Sequence, residues 1–430
     1  MTTVAEVRLW GSRIGAVSLE DGAETAAFAY DPAFAESNIQ VAPLVMPLSR
    51  QTYTFPSLNP ETFQGLPGLL ADALPDRYGN TLINAWLATQ GRTPESFNAV
   101  ERLCYTGARG MGALEFTPAK GPQAKTSQKI QIDRLVALAS EVLTHQNDLD
   151  TSFASKGDAL RDILRVGTSA GGARAKAVIA WNPATNEVRS GQVDAGEGFE
   201  YWLLKFDGVS NNKDRGLADP KGFGAVEFAY SEMARAAGIE MAPCRLLEEG
   251  GRRHFMTQRF DRTPQGKLHM QSLGAIAHFD YGQPTTYTYE QAFLVLRQMD
   301  LPMSDLEQLF RRMAFNIVAR NQDDHVKNVA FLMDKTGRWS LSPAYDVTWS
   351  FDPGNKWLSQ HQMAMNGKRD GFVLADFEDC ARTVSINSAR ARAIVQEVRD
   401  VVADWPRFAE VAQVDDKMRL DIDPSLRLML

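Results

Sequence analysis

The stretch ARNQDDHVKNVAFLMDKTGRWSLSPAYDVTWS, residues 319–350, holds the most informative arrangement of polar side chains in the chain. It begins where an amphipathic helix is predicted to end, and a hairpin through KTGR is predicted to follow the apolar run VAFLM. Four residues separate Asp323 from Asn328, and Asp346 follows the hairpin. Kinase catalytic loops place a base and two magnesium ligands in this order and at this spacing. The segment therefore predicts phosphoryl-transfer chemistry.

A structural interpretation competes with the catalytic one for each of these residues. Asp323 and Asp324 could cap a turn, and Asn328 could start a strand, and for any single Asp this interpretation is favoured. For the whole set the catalytic interpretation is favoured, because a solvated turn does not need histidine, lysine and asparagine side chains packed together. We expect His325 to position the loop rather than to act as an acid or base.

Lys205 lies at the end of the apolar strand predicted over EYWLLKF, residues 200–206. A lysine buried in such a strand is costly without a counter-charge, and nucleotide phosphates would supply one. The alternative is an edge strand whose lysine points to water. Glu227, in the following predicted helix, is the natural ion-pair partner, although Glu232 or Glu200 could serve.

A glycine-rich turn precedes the predicted strand in VGTSAGGARAKAVIAW, residues 166–181. Small residues from Gly167 to Gly172 let backbone N–H groups approach phosphate closely. The segment has no Gly-Lys-Ser/Thr ending and is therefore not a Walker A loop. A plain hairpin turn is the alternative. Ser169, a hydroxyl on this turn, is a candidate for self-phosphorylation.

The order of predicted elements indicates an α+β protein built from a sheet-rich lobe and a helical lobe, with a cleft between them. VRLW and RIGAVSL predict a hairpin joined by Gly11-Ser12, and helical spacing over residues 65–91 is broken at Pro75. Residues ~160–260 predict a small mixed sheet with one helix, and helices dominate beyond residue 265. We predict three units: 1–117, 118–260 and 261–430.

Composition narrows the functional classes. A chain of 430 residues is too long to fold around one ordinary hydrophobic core. Its 46 basic and 53 acidic residues give a net charge of −7. No Lys/Arg run is long enough for direct nucleic-acid binding, so any DNA contact is expected through a partner. No stretch predicts a membrane span or a signal peptide, which makes the cytoplasm the expected location. The three cysteines suit reduced thiols rather than a disulfide framework or a zinc site.

Six segments together resemble the HipA family of bacterial toxins over residues ~5–350: GLPGLLADALPDRYGN, SAGGARAKA, LLKF, QRFDR, NQDDHVKN and PAYD. The resemblance implies a two-lobed, protein-kinase-like fold with an added N-terminal subdomain. It also implies a Ser/Thr protein kinase that uses ATP and Mg²⁺ as the toxin of a type II toxin–antitoxin system. The best-known member phosphorylates glutamyl-tRNA synthetase, which halts translation and produces dormant, persistent cells. A small helix-turn-helix antitoxin, HipB, restrains these toxins, and the complex represses its own operon.

The resemblance also assigns roles by position. Asp323 would be the catalytic base, Asn328 and Asp346 would hold Mg²⁺, and Ser169 would be the autophosphorylated serine. The implied nucleotide-binding residues are Gly171, Gly172, Ala173, Arg174, Ala175 and Lys176 in the phosphate loop, Lys205, the adenine hinge Gln258, Arg259 and Phe260, and His325, Val326, Lys327, Asn328, Tyr345 and Asp346. The sequence departs from the best-studied toxin within the phosphate loop and at Asp324, where that toxin has glycine. These departures bear on the protein substrate more than on the nucleotide chemistry.

Two other functions compete with the kinase. A metal-dependent phosphohydrolase would bind metal directly through Asp323, Asp324, His325 and Asp346. It would need more converging ligands than the six widely spread histidines offer. A catalytically idle co-repressor acting with an antitoxin would have no chemical need for the set of Asp323, Asn328, Asp346 and Lys205.

Overall fold

The computed structural model describes residues 2–121, 129–144, 163–164, 174–209, 213–214, 217–218 and 221–430. Buried side chains form three hydrophobic cores. The first lies mainly in an N-terminal subdomain and also contains Met333. The second lies mainly in a sheet-rich N-lobe and also contains side chains from residues 78–105 of the subdomain. The largest lies mainly in a helical lobe and also contains side chains from residues 225–239. The phosphate-loop residues Gly171, Gly172 and Ala173, together with Ser169, lie outside the described residues.

An antiparallel five-stranded sheet forms the N-terminal subdomain, in the order β4-β3-β2-β1-β5. Ala5, Val7 and Leu9 of the first strand are buried and alternate with more exposed neighbours, the period-two pattern of a half-buried strand. The first hairpin turns at Trp10 and Gly11, with φ of 50° and 81°, one residue earlier than predicted. The strands are β1 Thr2–Leu9, β2 Ser12–Glu20, β3 Ala27–Tyr30, β4 Thr52–Tyr53 and β5 Leu114–Thr117.

Pro75 separates two helices of this subdomain, as predicted. The second of them, Arg77–Ala88, is capped by Asp76, whose Oδ1 accepts a hydrogen bond from the Gly79 amide at 2.6 Å. Its apolar face lies in the N-lobe core rather than in the core of its own subdomain. The helices are α1 Pro32–Ala35, α2 Pro60–Phe63, α3 Gly68–Ala71, α4 Arg77–Ala88 and α5 Ala99–Thr106, with a 3-10 turn at Pro94–Ser96.

The N-lobe contains a five-stranded sheet in the order β11-β12-β8-β6-β7. Every strand pair in it is antiparallel, so the predicted mixed sheet is wrong. Strand β8, which carries Lys205, pairs on both sides, and the edge-strand alternative is therefore also wrong. The strands are β6 Lys176–Asn182, β7 Glu187–Ser190, β8 Glu200–Lys205, β11 Cys244–Glu249 and β12 Arg252–Gln258. Two helices, α6 Ile132–Thr144 and α7 Phe223–Ala236, accompany the sheet.

Two short hairpins complete this part of the chain. They are β9 Lys213–Asp214 with β10 Leu217–Ala218, and β13 Arg262–Thr263 with β14 Gly266–Lys267.

The helical lobe is organised around the helix Met303–Val318, whose predicted apolar stripe is fully buried. A three-stranded sheet, β15 His269–Ser272, β16 Ala330–Met333 and β17 Trp339–Leu341, supports the segment 319–350. The predicted hairpin is its β16–β17 pair. The helices are α8 Leu273–Ala277, α9 Tyr289–Gln298, α10 Met303–Val318, α11 Leu374–Thr383, α12 Ser388–Val402, α13 Trp405–Val411 and α14 Asp416–Ile422, with a 3-10 turn at Asp423–Ser425.

Two further expectations concern the whole chain. Cys104, Cys244 and Cys380 are buried free thiols, as predicted. None of the helices in the described ranges combines the length and the apolar character needed to cross a membrane.

Candidate active site

Lys205 joins the two lobes through a pair of carboxylates. Its Nζ donates to Glu227 Oε1 on α7 at 2.6 Å and to Asp346 Oδ1 of the helical lobe. Glu227 is the partner, because Glu200 accepts from Trp202 and Glu232 pairs with Arg235. The side chains of Lys205 and Glu227 are 13% and 2% exposed, whereas that of Asp346 is 33% exposed. The cluster therefore has a buried end at Glu227 and an open end at Asp346.

The charges in this cluster stabilise one another. Burial lowers the pKa of Lys205, but the charges of Asp346 and Glu227 outweigh it and leave that pKa raised. Burial raises the pKa of Asp346, but the charge and hydrogen bond of Lys205 outweigh it and leave that pKa lowered. For Glu227, burial prevails and the pKa is raised. Lys205 and Asp346 thus form an ion pair at neutral pH.

Asp346 has a left-handed backbone conformation, with φ of 56°. Aspartate tolerates this region better than most residues. The hydroxyl of the preceding residue, Tyr345, donates to the Lys327 carbonyl oxygen at 2.6 Å. This bond ties the Asp346 segment to the loop that contains Asp323 and Asn328.

The 323–328 loop is held by hydrogen bonds within itself. Asn328 Nδ2 donates to the Asp323 carbonyl oxygen at 2.9 Å, and the Asn328 amide donates to the His325 carbonyl at 2.9 Å. His325 Nδ1 accepts from the Lys327 amide at 3.2 Å. Val326 is buried and accepts through its carbonyl oxygen from the Gly274 amide at 3.1 Å. His325 therefore takes part in holding the loop, and its role in the site stays a prediction.

Asp324 points into the helical lobe and is 2% exposed. Its carboxylate accepts from Tyr289 Oη at 2.7 Å, from His361 Nδ1 at 2.8 Å and from the Gln362 amide at 2.8 Å. Arg427 Nη1 lies 2.8 Å from His361 Nε2; since a guanidinium can only donate, the imidazole proton is on Nδ1. These bonds attach the loop to the interior of the helical lobe.

This orientation removes Asp324 from the metal set of the phosphohydrolase interpretation. The described part of the chain contains no group of three or more His, Cys, Asp or Glu side chains that could hold a metal ion. A magnesium ion bound through one or two protein ligands and substrate phosphates does not need such a group.

Three phosphate-loop residues lie within the described ranges, and none of them is loosely held. The Arg174 guanidinium lies 4.3 Å from the centroid of the Phe223 ring. Ala175 is buried, and its carbonyl oxygen accepts from the Phe206 amide at 3.0 Å. Lys176 is 2% exposed and forms an ion pair with Asp76 of the N-terminal subdomain at 2.9 Å.

The predicted adenine hinge continues directly from β12. The amides of Gln258 and Arg259 donate to the Pro243 and Tyr201 carbonyls at 2.8 and 2.9 Å. The guanidinium of Arg259 forms a buried ion pair with Asp261 at 2.7 Å. The Phe260 ring lies 5.8 Å from the Tyr345 ring. Backbone contacts from this segment to adenine stay a prediction, restricted to groups other than these two amides.

A small cavity lies beside Lys327, between the N-terminal subdomain and the helical lobe. It offers about 20 Å³ of free space, room for about one water molecule, and is lined by Thr62, Phe63, Gly68, Ala71, Asp72, Ser272, Gly274, Ala275, Phe279, Tyr281 and Lys327. Ligand pockets usually measure ~300–1,000 Å³, so this one is far too small for a nucleotide.

The antiparallel N-lobe sheet, the helical lobe and the cluster between them define a two-lobed, protein-kinase-like protein with an additional N-terminal subdomain. This is the predicted α+β class. The family model of the HipA N-terminal domain matches residues 5–117, and that of the HipA-like C-terminal domain matches residues 168–405. The chain belongs to the HipA family, and the resemblance found in its sequence is confirmed.

Individual relatives match shorter segments. Two proteins of Sinorhizobium fredii, named "Putative kinase Y4mE" and "Putative kinase Y4dM", are 30% identical over 125 residues and 27% identical over 137 residues. The matches cover 27% and 28% of this chain and 30% and 32% of those proteins. The chain thus spans about a third of the length of these curated relatives.

One solved structure is similar over nearly the whole chain. It is the toxin–antitoxin complex of HipA, HipB and operator DNA from Shewanella oneidensis MR-1, with a TM-score of 0.67 and 17% sequence identity. The alignment covers 98% of this chain and 94% of the Shewanella chain. At this identity the likeness establishes the shared fold, and the kinase-like architecture predicted from the sequence is confirmed.

Proposed function

We propose that this protein is an ATP-dependent Ser/Thr protein kinase and the toxin of a type II toxin–antitoxin system. The observation that carries the proposal is the bonding of Lys205 to both Glu227 and Asp346, which joins a strand of one lobe to a loop of the other. Kinases use this combination, a strand lysine paired with a helix glutamate and facing a metal-binding aspartate, to hold ATP phosphates. Membership of the HipA family supports the proposal.

In the proposed reaction, Asp323 accepts the proton of a serine hydroxyl on the acceptor protein, and the oxygen of that hydroxyl bonds to the γ-phosphorus of ATP. The bond between the γ-phosphorus and the β–γ bridging oxygen breaks, and ADP leaves. Lys205, charged and held by Glu227, contacts the phosphates.

Asn328 and Asp346 would hold Mg²⁺. The residues fit such an ion, because the bond from Asn328 Nδ2 to Asp323 orients the amide and Asp346 offers a partly exposed carboxylate. When bound, Mg²⁺ offsets negative charge on the phosphates.

The remaining roles are proposals supported by the family. Residues 171–176 would cradle the phosphates, Gln258 to Phe260 would border adenine, and His325 to Asn328 with Tyr345 would complete the pocket. Ser169 would be the autophosphorylated serine. The units would be 1–117, 118–260 and 261–430, in a cytoplasmic protein.

The partners are proposed on the same basis. The acceptor would be a serine of an aminoacyl-tRNA synthetase, such as glutamyl-tRNA synthetase, so that phosphorylation inhibits translation and growth. A HipB-like helix-turn-helix antitoxin would restrain the kinase and mediate any DNA contact. The Shewanella complex, which contains HipA, HipB and operator DNA, supports this part of the proposal.

Incubation of the protein with γ-labelled ATP and Mg²⁺ tests the function. A kinase labels itself or an added synthetase, a phosphohydrolase releases phosphate without labelling protein, and an idle co-repressor does neither. Phosphoproteomics after controlled expression would then identify the acceptor. Asp323→Asn serves as the matched inactive control in both experiments.

A further inference from the structure

We infer that Asp72 and Asp76 of the N-terminal subdomain are positioning residues of the kinase site, each paired with a lysine from a different lobe. Asp76 holds Lys176 of the N-lobe sheet, and Asp72 holds Lys327 of the 323–328 loop. The inference rests on the proposed function and assigns part of the active site to the added subdomain.

The segment that carries both acids packs against both lobes. Its first helix, α3, approaches α8 of the helical lobe so closely that a Cβ on Gly68 would lie 2.2 Å from the Ala275 carbonyl oxygen. The Gly68 amide donates to His278 Nε2 at 3.0 Å. Its second helix, α4, contributes to the N-lobe core. Asp72 and Asp76 therefore lie on a bridge between the lobes.

Lys176 lies beside Lys205 in the N-lobe sheet. The two residues are paired across β6 and β8, and directly paired residues of antiparallel strands point to the same face. Lys176 is 2% exposed, and a lysine buried to this extent stays charged only next to a counter-charge. The charge of Lys176 also helps to lower the pKa of Asp346. Its influence therefore reaches the proposed phosphate site.

Asp76 supplies that counter-charge without giving up its capping role. Its Oδ2 lies 2.9 Å from Lys176 Nζ, while Oδ1 caps α4. Burial raises the pKa of Asp76 above its ordinary value, and the charge of Lys176 offsets part of that rise, so the carboxylate of Asp76 depends on Lys176.

Asp72 makes the corresponding contacts at the helical lobe. Its two carboxylate oxygens accept from the Ser272 amide at 2.7 Å and from Ser272 Oγ at 2.9 Å. Lys327 Nζ lies 3.9 Å from Asp72 Oδ1 and 4.8 Å from the centroid of the Tyr281 ring. The ammonium group of Lys327 thus contacts the Asp72 carboxylate of the subdomain and the Tyr281 ring of the helical lobe.

Asp76→Asn tests the N-lobe contact. Asparagine is as good a helix cap as aspartate, so the change removes the charge while α4 stays capped. Without its counter-charge the buried ammonium group of Lys176 loses the contact that positions it, and we expect the KM for ATP·Mg²⁺ to rise about tenfold, with kcat within about twofold. Lys176→Met should raise KM by a similar factor, and the double variant should raise it no further, because Asp76 acts through Lys176.

Asp72→Asn tests the helical-lobe contact. We expect kcat to fall about fivefold, because the contact is partly exposed and acts through the loop that carries Asp323. In the nucleotide-free protein, amide hydrogen exchange over residues 323–330 should become faster. Glu61 is an exposed carboxylate of the same subdomain, and Glu61→Gln is the control. It should change neither kcat nor the hydrogen exchange of residues 323–330.

The outcomes separate this inference from the proposed function. If the wild-type protein labels itself but Asp76→Asn and Asp72→Asn keep wild-type kcat and KM, the inference fails and the kinase stands. A uniform loss of folded protein in both variants, with the kcat and KM of the remaining fraction unchanged, also overturns it. If the wild-type protein binds no ATP, the kinase proposal fails. Unchanged hydrogen exchange in Asp72→Asn would then reject the inference independently.

Discussion

The two sides of the cleft are held together differently. On the N-lobe side, Lys205 and Lys176 pair with carboxylates that belong to other parts of the molecule, Asp346 of the helical lobe and Asp76 of the N-terminal subdomain. On the helical side, the 323–328 loop is held mainly by its own backbone and by Tyr289, His361 and Gln362 through Asp324. The helical side therefore depends on contacts within its own lobe, whereas the N-lobe side also depends on ion pairs with other parts of the molecule. In the proposed kinase, the phosphates and Mg²⁺ would have to rearrange those ion pairs.

The largest expected effect is that of Asp323→Asn on phosphoryl transfer. Loss of the proposed base should lower the rate by about 10²–10⁴-fold. The loop should keep its shape, because Asn328 bonds to the backbone oxygen of residue 323 rather than to its side chain. Transfer from labelled ATP and thermal melting measure the two quantities. Growth arrest and labelling at wild-type levels would contradict the assignment of Asp323.

Lys205→Met should have the largest effect on stability. It leaves the buried side chain of Glu227 without its cation, and breaking a buried ion pair in this way costs about 3–5 kcal/mol. The double variant Lys205→Met with Glu227→Gln should recover most of this loss, as measured by urea unfolding, but not phosphoryl transfer. Equal stability of the single and double variants would show that the pair does not organise this side of the cleft.

Asp324→Asn tests the catalytic side. The amide can replace one acceptor oxygen, but its NH₂ group cannot accept from Tyr289 or His361, so we expect a loss of about 2 kcal/mol in unfolding free energy. The kcat should fall, because the anchor orients the loop that carries Asp323. A change confined to KM would mean that the two sides of the cleft are not held independently.

The smallest effect concerns acid stability on the N-lobe side. Burial lowers the pKa of His254 from its ordinary 6.5 to about 4, and its Nδ1 accepts from the Asp207 amide at 2.9 Å. Below pH 6.5 the unfolded chain binds a proton that the folded protein excludes, so stability should fall with pH until about pH 4. Between pH 7 and 5.5 we expect His254 to contribute a loss of about 1 kcal/mol. His254→Asn keeps an acceptor near the Nδ1 position and should reduce the slope of the unfolding free energy against pH. An unchanged slope would contradict this account.

Local patterns in the sequence were sufficient for much of the fold and for part of the site. Apolar periodicity predicted β8, α7 and α10, because each buries one face or stripe. The spacing of Asp323, Asn328 and Asp346 and the pairing of Lys205 with Glu227 were found from residue type and order. Strand direction could not be predicted in this way, because the same hydrophobic alternation suits parallel and antiparallel neighbours. The short strand β15 also lacks a local signal.

Contacts between distant segments account for what the sequence left hidden. Asp323 and Asp324 are adjacent and chemically identical, but Asp323 is half-buried and Asp324 is buried. The bonds that hold Asp324 come from His361 and Gln362, which follow nearly forty residues later. The contacts of Asp72 and Asp76 join residues 100 to 255 positions apart. No local pattern marks such pairs, so their importance becomes visible only in the folded chain.

The left-handed backbone at Asp346 has a genetic consequence. Asparagine and glycine accommodate this conformation as well as aspartate does, and both are reached from aspartate codons by one base change. Glutamate, the usual conservative replacement for aspartate, is poorly suited to it. Spontaneous mutants that escape the proposed toxicity at this position should therefore be mostly folded proteins without the carboxylate, which could still occupy an antitoxin.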